Sequence, residues 1–104
     1  MDMAEIRDIV IGEAQLPIDA QQISDTMDLD DAGITSLARM NVILALEDRY
    51  QITFPDEMMT RNNFSSISAV SKTVNVVLSK VYAAIAAYIP IGWLDLFATL
   101  HVGA

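Results

Sequence analysis

The sequence predicts an all-α protein: a small bundle of four helices, three long and one short, followed by an apolar helical extension at the C-terminus. Apolar residues recur every three or four positions along three segments, and no segment shows the strict alternation of a β-strand. The chain has 104 residues, of which 53% are hydrophobic, and no cysteine. It can therefore form one modest core, but no disulfide and no thiolate metal site.

The first helix is predicted over residues 3–15, with Pro17 ending it. Its apolar face consists of Met3, Ile6, Ile9, Val10 and Ala14. Residues 18–35 are rich in Asp and predict a long loop, a kind of segment that is often functional. Isolated apolar residues are expected to anchor this loop to the core: Ile23, Met27, Leu29 and Ile34.

The second helix is predicted over residues 36–50. Apolar side chains cover more than half of its circumference: Leu37, Met40, Val42, Ile43, Leu44, Leu46 and Tyr50. An apolar arc this wide predicts that the helix is central and packs against several neighbours. Glu47 lies inside the arc, so we expect its carboxylate at the edge of a contact.

Residues 54–57 predict a turn into a short third helix that ends near Arg61. Ser65 or Ser66 then caps a fourth helix. One face of that helix is apolar: Ile67, Val70, Val74, Val77, Leu78 and Val81.

We divide the chain into a helical domain, residues 1–79, and a hydrophobic extension, residues 80–104. From Val81 to Leu94 no residue is charged, but this stretch is shorter than the roughly 20 residues of a membrane span, and Pro90 interrupts it. The fourth helix can continue to about Tyr88. Trp93 and the other apolar residues of the extension must cover something. The alternatives are the bundle itself, a second copy, a partner enzyme or a membrane surface.

The negative charge of the chain is concentrated in its first half. Residues 1–57 carry 13 acids and three arginines, a net charge of −10, whereas residues 58–104 carry +2. Such a surface repels phosphate backbones, so nucleic-acid binding is not expected, and it attracts basic protein partners. The first ten residues carry charges that a signal peptide lacks, which indicates a cytoplasmic location.

Residues 33–37, Gly-Ile-Thr-Ser-Leu, and residues 45–57 together resemble the modification site and second helix of acyl carrier proteins. The resemblance extends from about residue 3 to residue 78. It implies the acyl-carrier fold and a 4′-phosphopantetheine arm on Ser36, whose thiol holds an acyl or aminoacyl group as a thioester. It also implies a carrier that acts with partner enzymes and has no catalytic residues of its own.

The position of Ser36 suits a modified serine. A helix start presents unpaired N–H groups and the positive end of the macrodipole, which favour a phosphate. Gly33 allows a tight turn into the helix, and we expect Leu37 to be buried beneath the serine so that the hydroxyl points outward. The alternative is that Ser36 or Thr35 is simply an N-cap.

The resemblance also implies partners. These are a phosphopantetheinyl transferase that uses coenzyme A, an acyl or amino acid ligase, and downstream transferases. The residues expected to recognise them are Ile34, Thr35, Leu37, Met40, Asn41 and Asp48.

Two departures from the family pattern concern the cargo. Thr35 stands where the family usually has Asp, and Ala38 and Asn41 occupy places where its second helix usually shows acids. This argues for dedicated partners rather than the enzymes of fatty-acid synthesis. The Thr-Ser-Leu sequence also looks like that of carriers loaded with an amino acid by ligases that resemble tRNA synthetases.

Other functions have weaker support. Residues 25–50 of an unmodified acidic adaptor could bind a basic protein, and the extension could hold a peripheral membrane module. A calcium loop that begins at Asp28 fails because Ala32 and Arg39 stand where oxygen ligands are needed. His101, near the C-terminus, cannot be matched to a nucleophile.

Overall fold

The computed structural model describes residues 3–88, and all regular structure in that range is helical. Its helices are α1 (Met3–Ala14), α2 (Ser36–Tyr50) and α3 (Ile67–Tyr88), with short 3₁₀ turns at Ala20–Gln22, Asp56–Met58 and Asn62–Phe64. The prediction of an all-α bundle is confirmed. The predicted short third helix takes the form of the last two 3₁₀ turns, which lie on either side of Arg61.

The core lies between the three α-helices. Its largest fully buried side chains are Ile6, Val10, Leu29, Leu46, Ile67, Val70 and Val74. The helix that packs extensively against both of the others is α1, whereas α2 has its main helix contact with α1. The expectation that α2 is the central helix was therefore wrong, because part of its wide apolar arc faces outward.

The ends of α2 are fixed by local hydrogen bonds. Thr35 is the N-cap, and Gln51 at the C-terminal end adopts the left-handed conformation with a φ of 53°. The backbone N–H of Ile52 donates to the carbonyl of Glu47 at 3.1 Å. The carboxylate of Glu47, which was expected at the edge of a contact, accepts a hydrogen bond from the N–H of Phe54 at Oε2, at 2.9 Å.

The long loop between α1 and α2 is tied to the rest of the bundle. Its predicted anchors behave as expected, since Ile23 and Leu29 are buried. The backbone N–H of Leu29 donates to the carbonyl of Ser65, and the N–H of Ser68 donates to the carbonyl of Asp25, both at 2.8 Å. The loop therefore enters α2 from a supported position rather than as a free strand of chain.

The segment after α2 is held by its aromatic residues. Phe54 and Phe64 are both buried, and their rings meet edge to face at 5.2 Å between centroids. This contact closes the two 3₁₀ turns back onto the core. Residues 59–61, between those turns, consequently lie beside the first half of α2.

The third helix begins at the predicted cap, because Ser66 Oγ accepts a hydrogen bond from the N–H of Ala69 at 3.0 Å. It runs without a break to Tyr88, as the sequence suggested, and residues 81–87 are all exposed. By length and composition alone, Ile67–Ala87 could cross a membrane. Packing explains this apolar character only in the first half of α3, where Val70 and Val74 are fully buried. In the window as a whole, 28% is buried.

The domain boundary after residue 79 stays a prediction. Helix α3 continues across it, and most of the extension, including Trp93 and His101, lies outside the described residues. What covers the apolar side chains of the extension is likewise still a prediction.

Candidate functional site

The start of α2 separates two roles that the sequence left open. Thr35 Oγ1 accepts a hydrogen bond from the N–H of Ala38 at 3.0 Å, so Thr35 is the N-cap. Ser36 is the first residue of the helix and is exposed. The Ser36 hydroxyl is therefore available for chemistry, because the helix does not use it as a cap.

The turn that delivers Ser36 is compact. Gly33 has a φ of +102°, and a Cβ there would lie 3.1 Å from Cδ of Pro17, so both conformation and space favour glycine. The N–H of Gly33 donates to the carbonyl of Asp30, and the N–H of Ile34 donates to the carbonyl of Leu29. Since Leu29 is buried, its hydrogen bond with Ile34 anchors this turn in the core immediately before the cap residue Thr35.

Asp30 joins three parts of the chain beside Ser36. Its Oδ1 accepts a hydrogen bond from Arg39 Nη2, and its Oδ2 accepts one from Arg61 Nε, each at 2.9 Å. Hydrogen bonds from Arg39 and then Arg61 lower the pKa of the Asp30 carboxyl below its ordinary value of 3.8. This cluster holds the loop, the first turn of α2 and the segment after α2 together.

Sequence reasoning missed this cluster. In the sequence, Arg39 breaks the calcium pattern and Arg61 lies near the end of the predicted short helix. Asp30 and Arg61 are 31 positions apart, and no local pattern joins residues at that separation. One local signal pointed to this cluster. The first turn of α2 contains Arg39 and no acid, although acids are usually favoured at that end of a helix.

A cleft opens directly from Ser36. It has a volume of about 460 Å³ and lies between α2 and residues 59–64. Its walls are Ser36, Arg39, Met40, Ile43, Met59, Thr60, Arg61 and Phe64. The two guanidinium groups are thus near the serine, whereas methionine, isoleucine and phenylalanine supply apolar walls.

A second surface follows Ser36 along the outer side of α2. We call it the α2 face, and it consists of Leu37, Met40, Asn41, Leu44 and Asp48, all exposed. Leu37 is 72% exposed and Leu44 is 55% exposed. The expectation that Leu37 is buried beneath the serine was therefore wrong.

The α2 face brings together most of the predicted recognition residues. The other two lie just before α2: Ile34 is partly buried, and Thr35 is exposed and is used as the cap. Leu44 was not among the predicted recognition residues. Its helical spacing from Leu37, seven positions, was the signal that could have added it.

Comparison with known proteins decides what kind of site this is. Residues 4–74 match the family described as Phosphopantetheine attachment site. The chain belongs to this family of carrier proteins. It is a carrier that holds an acyl or aminoacyl group on a covalent 4′-phosphopantetheine arm and presents that group to partner enzymes, as the sequence predicted.

Two relatives show which carriers it is similar to. It is 38% identical over 81 residues to the aminoacyl carrier protein of Agrobacterium fabrum, covering 78% of this chain and 98% of that protein. It is also 36% identical over 58 residues to the acyl carrier protein of Streptomyces coelicolor, covering 55% of this chain and 62% of that one.

Solved structures agree with the fold. One is the Agrobacterium tumefaciens carrier protein, in a complex with an engineered Bradyrhizobium japonicum glycine:[carrier protein] ligase and AMP. It matches this carrier with a TM-score of 0.67 and 38% identity, over 71% of this chain and 99% of that one. The solution structure of an Agrobacterium tumefaciens protein matches with a TM-score of 0.63 and 36% identity, over 79% and 99% of the chains.

The residues around Ser36 fit a covalently held phosphodiester. The hydroxyl is exposed, the helix start offers N–H groups, and two guanidinium groups line the adjoining cleft. Arg39 Nε is buried and has no hydrogen-bond partner among residues 3–88. When bound, the arm supplies a thiol that holds the cargo as a thioester.

In the range 3–88, no three His, Cys, Asp or Glu side chains come together in a way that could hold a metal ion. The acids of the loop are spread around Asp30, which is paired with arginines instead.

Proposed function

We propose that Ser36 is the residue that carries the arm and that the cargo of this carrier is an amino acid. The single observation that supports Ser36 is that Thr35 and Ser36 have different roles at the start of α2. Thr35 caps the helix, which leaves the neighbouring exposed hydroxyl of Ser36 without a capping role. The same hydroxyl opens onto a cleft with two arginines.

Attachment of the arm is a transfer of the phosphopantetheine group from coenzyme A to the Ser36 hydroxyl. The Ser36 oxygen forms a bond to the phosphorus next to the pantetheine of coenzyme A, the pyrophosphate P–O bond breaks, and 3′,5′-ADP leaves. The hydroxyl proton passes to a base on the phosphopantetheinyl transferase or to solvent. Because coenzyme A is a cytoplasmic reagent, this supports a cytoplasmic location.

The amino acid cargo is supported by the relatives. The carrier from Agrobacterium fabrum, which this chain covers almost completely, is named for an aminoacyl group. Loading by an amino acid:carrier protein ligase would form an aminoacyl adenylate from ATP with release of pyrophosphate. The arm's thiol would then displace AMP to give the thioester.

The α2 face supports a dedicated ligase partner. Its exposed side chains near Ser36 are apolar or neutral, and Asp48 is its single acid. A partner that docks there must offer an apolar surface, unlike an enzyme that relies on basic residues alone. We therefore infer that this protein does no chemistry itself and works through a ligase and a downstream transferase that bind this face.

The test of Ser36 is incubation of the apo-protein with coenzyme A and a phosphopantetheinyl transferase, followed by intact-mass analysis. We expect the wild type to gain one phosphopantetheine and Ser36→Ala to gain none. Ser24→Ala removes another exposed serine of the same region and should be modified like the wild type. Modification of Ser36→Ala, or none of the wild type, would contradict the proposal.

The test of the cargo uses the holo-protein with ATP and either an amino acid ligase or a fatty-acid ligase. Amino acid incorporation that hydroxylamine reverses supports an aminoacyl thioester. The cleft beside Ser36 has apolar walls, which favours a fatty acyl chain as the second candidate. If only the fatty-acid ligase loads the protein, the proposed cargo is a fatty acyl chain and not an amino acid.

A further inference from the structure

The two arginines beside Ser36 have more hydrogen-bond donors than the fold uses. A guanidinium group has five N–H donors. Arg39 gives one nitrogen to Asp30, and its buried Nε has no partner among the described residues. Arg61 gives only Nε to Asp30 in the described part of the chain, and its side chain is 74% exposed.

The charge of this cluster is also unbalanced. One carboxylate, that of Asp30, faces two guanidinium groups, which leaves one positive charge. The other acids of the turn, Asp28 and Asp31, form no ion pair with either arginine within residues 3–88. The excess charge is placed at a cleft that Ser36 also lines.

The geometry places this charge within reach of Ser36. Arg39 is three residues after Ser36, so it lies about 4.5 Å further along the helix axis and on the same side of α2. Arg61 lines the same cleft from the segment after α2. An anion attached to the serine oxygen would consequently have a guanidinium group on each side.

We propose that Arg39 and Arg61 bind the phosphodiester of the arm and thereby direct the arm into the cleft between α2 and residues 59–64. This inference rests on the proposed function, because it requires the arm to be attached at Ser36. The phosphodiester carries the single negative charge that the cluster lacks. The planar, forked donors of arginine match phosphate oxygens better than a lysine ammonium does.

Asp30 has a defined part in this arrangement. It holds Arg39 and Arg61 in place before the arm arrives, because its two oxygens each fix one guanidinium group. The donors that remain then need little reordering to bind the phosphate. The aminoacyl cargo itself is excluded as the ligand of this cluster, because its ammonium group is repelled by arginine.

The test compares the four arginines of the chain, Arg7, Arg39, Arg49 and Arg61, within one sample. The ¹H–¹⁵N signals of their Nε–H groups are recorded before and after modification by coenzyme A and transferase, with intact mass confirming one added arm. We expect the Arg39 and Arg61 signals to shift several times more than those of Arg7 and Arg49. The latter pair with Asp25 and Glu5, away from Ser36, and are internal controls.

A second measurement covers the variants. In the modified double variant Arg39→Gln/Arg61→Gln, the ³¹P resonance of the arm should move away from its wild-type position. In the matched control Arg49→Gln it should stay at the wild-type position. Circular dichroism checks that each variant is folded. An added arm with unchanged Arg39 and Arg61 signals and an unchanged ³¹P resonance would overturn the phosphate-binding role alone. Absence of the added mass would instead overturn the attachment at Ser36.

Discussion

The two apolar sides of α2 have similar side chains and opposite environments. Val42, Ile43 and Leu46 are buried against the core, whereas Leu37, Met40 and Leu44 are exposed. Both sides follow helical spacing, so hydropathy alone assigns them to one wide arc. The difference is that α1 packs on the first side and no described helix packs extensively on the second.

This comparison separates stability from recognition on a single helix. The buried side holds the bundle together, and the exposed side follows directly from Ser36, the serine that we propose carries the arm. An apolar surface kept in water costs free energy, so its position beside Ser36 is best explained by partners that cover it during loading and transfer.

The largest expected effect is on the buried side. Leu46→Ala should lower the free energy of unfolding by about 2–5 kcal/mol, because Leu46 is fully buried and its loss leaves a cavity. Urea unfolding of the apo-protein measures this. The matched control is Leu44→Ala, two positions away and exposed, which should change stability by less than about 0.5 kcal/mol. Equal losses in the two variants would show that the two sides of α2 contribute equally to stability.

The exposed side should matter for loading. Leu44→Ala in the holo-protein should lower the kcat/KM of a cognate amino acid ligase by about tenfold, as expected for one apolar side chain lost from a docking surface. The control is Val76→Ala, which truncates an exposed apolar residue of α3 away from Ser36. A ligase that loads both variants equally well would show that the α2 face is not where it docks.

The start of α2 allows the sharpest separation of fold from function. Thr35→Ala removes the cap and should cost about 0.5–2 kcal/mol of stability, while its Ser36 can still be modified. Ser36→Ala should leave stability close to wild type and abolish modification. Thermal unfolding and intact mass on both variants test this. A large loss of stability in Ser36→Ala would mean that Ser36 also supports the helix.

The smallest effect concerns the pH dependence of the Asp30 cluster. Because its pKa is lowered in the folded protein, Asp30 stabilises the fold above its unfolded pKa, and this contribution disappears as the pH falls through the folded value, below 3.8. Wild type and Asp30→Asn should therefore differ in urea midpoint at about pH 7 and converge as the pH is lowered below 3.8. A difference independent of pH would show that the ion pairs contribute nothing.

Features that depend on neighbouring residues in the chain could be predicted from the sequence. The bounds of α2, the cap at Thr35 or Ser36, the turn at Gly33 and the exposed serine all follow from local chemistry. The family resemblance rested on the same local stretch and was correct.

Features that depend on distant contacts could not be predicted. Leu37 looked buried because its spacing matches the core, and only the placement of α1 shows that its side of α2 is open. The pairing of Arg61 with Asp30 likewise requires knowing how the segment after α2 folds back. In place of the predicted short third helix, the structure has two 3₁₀ turns, which the packing of Phe54 on Phe64 holds against the core.

The most direct test is tandem mass spectrometry of the protein purified from its native cells under conditions that preserve thioesters. We expect a phosphopantetheine arm localised to Ser36, with an amino acid on its thiol in part of the population. A protein that is bare at Ser36 in cells with an active transferase would contradict it.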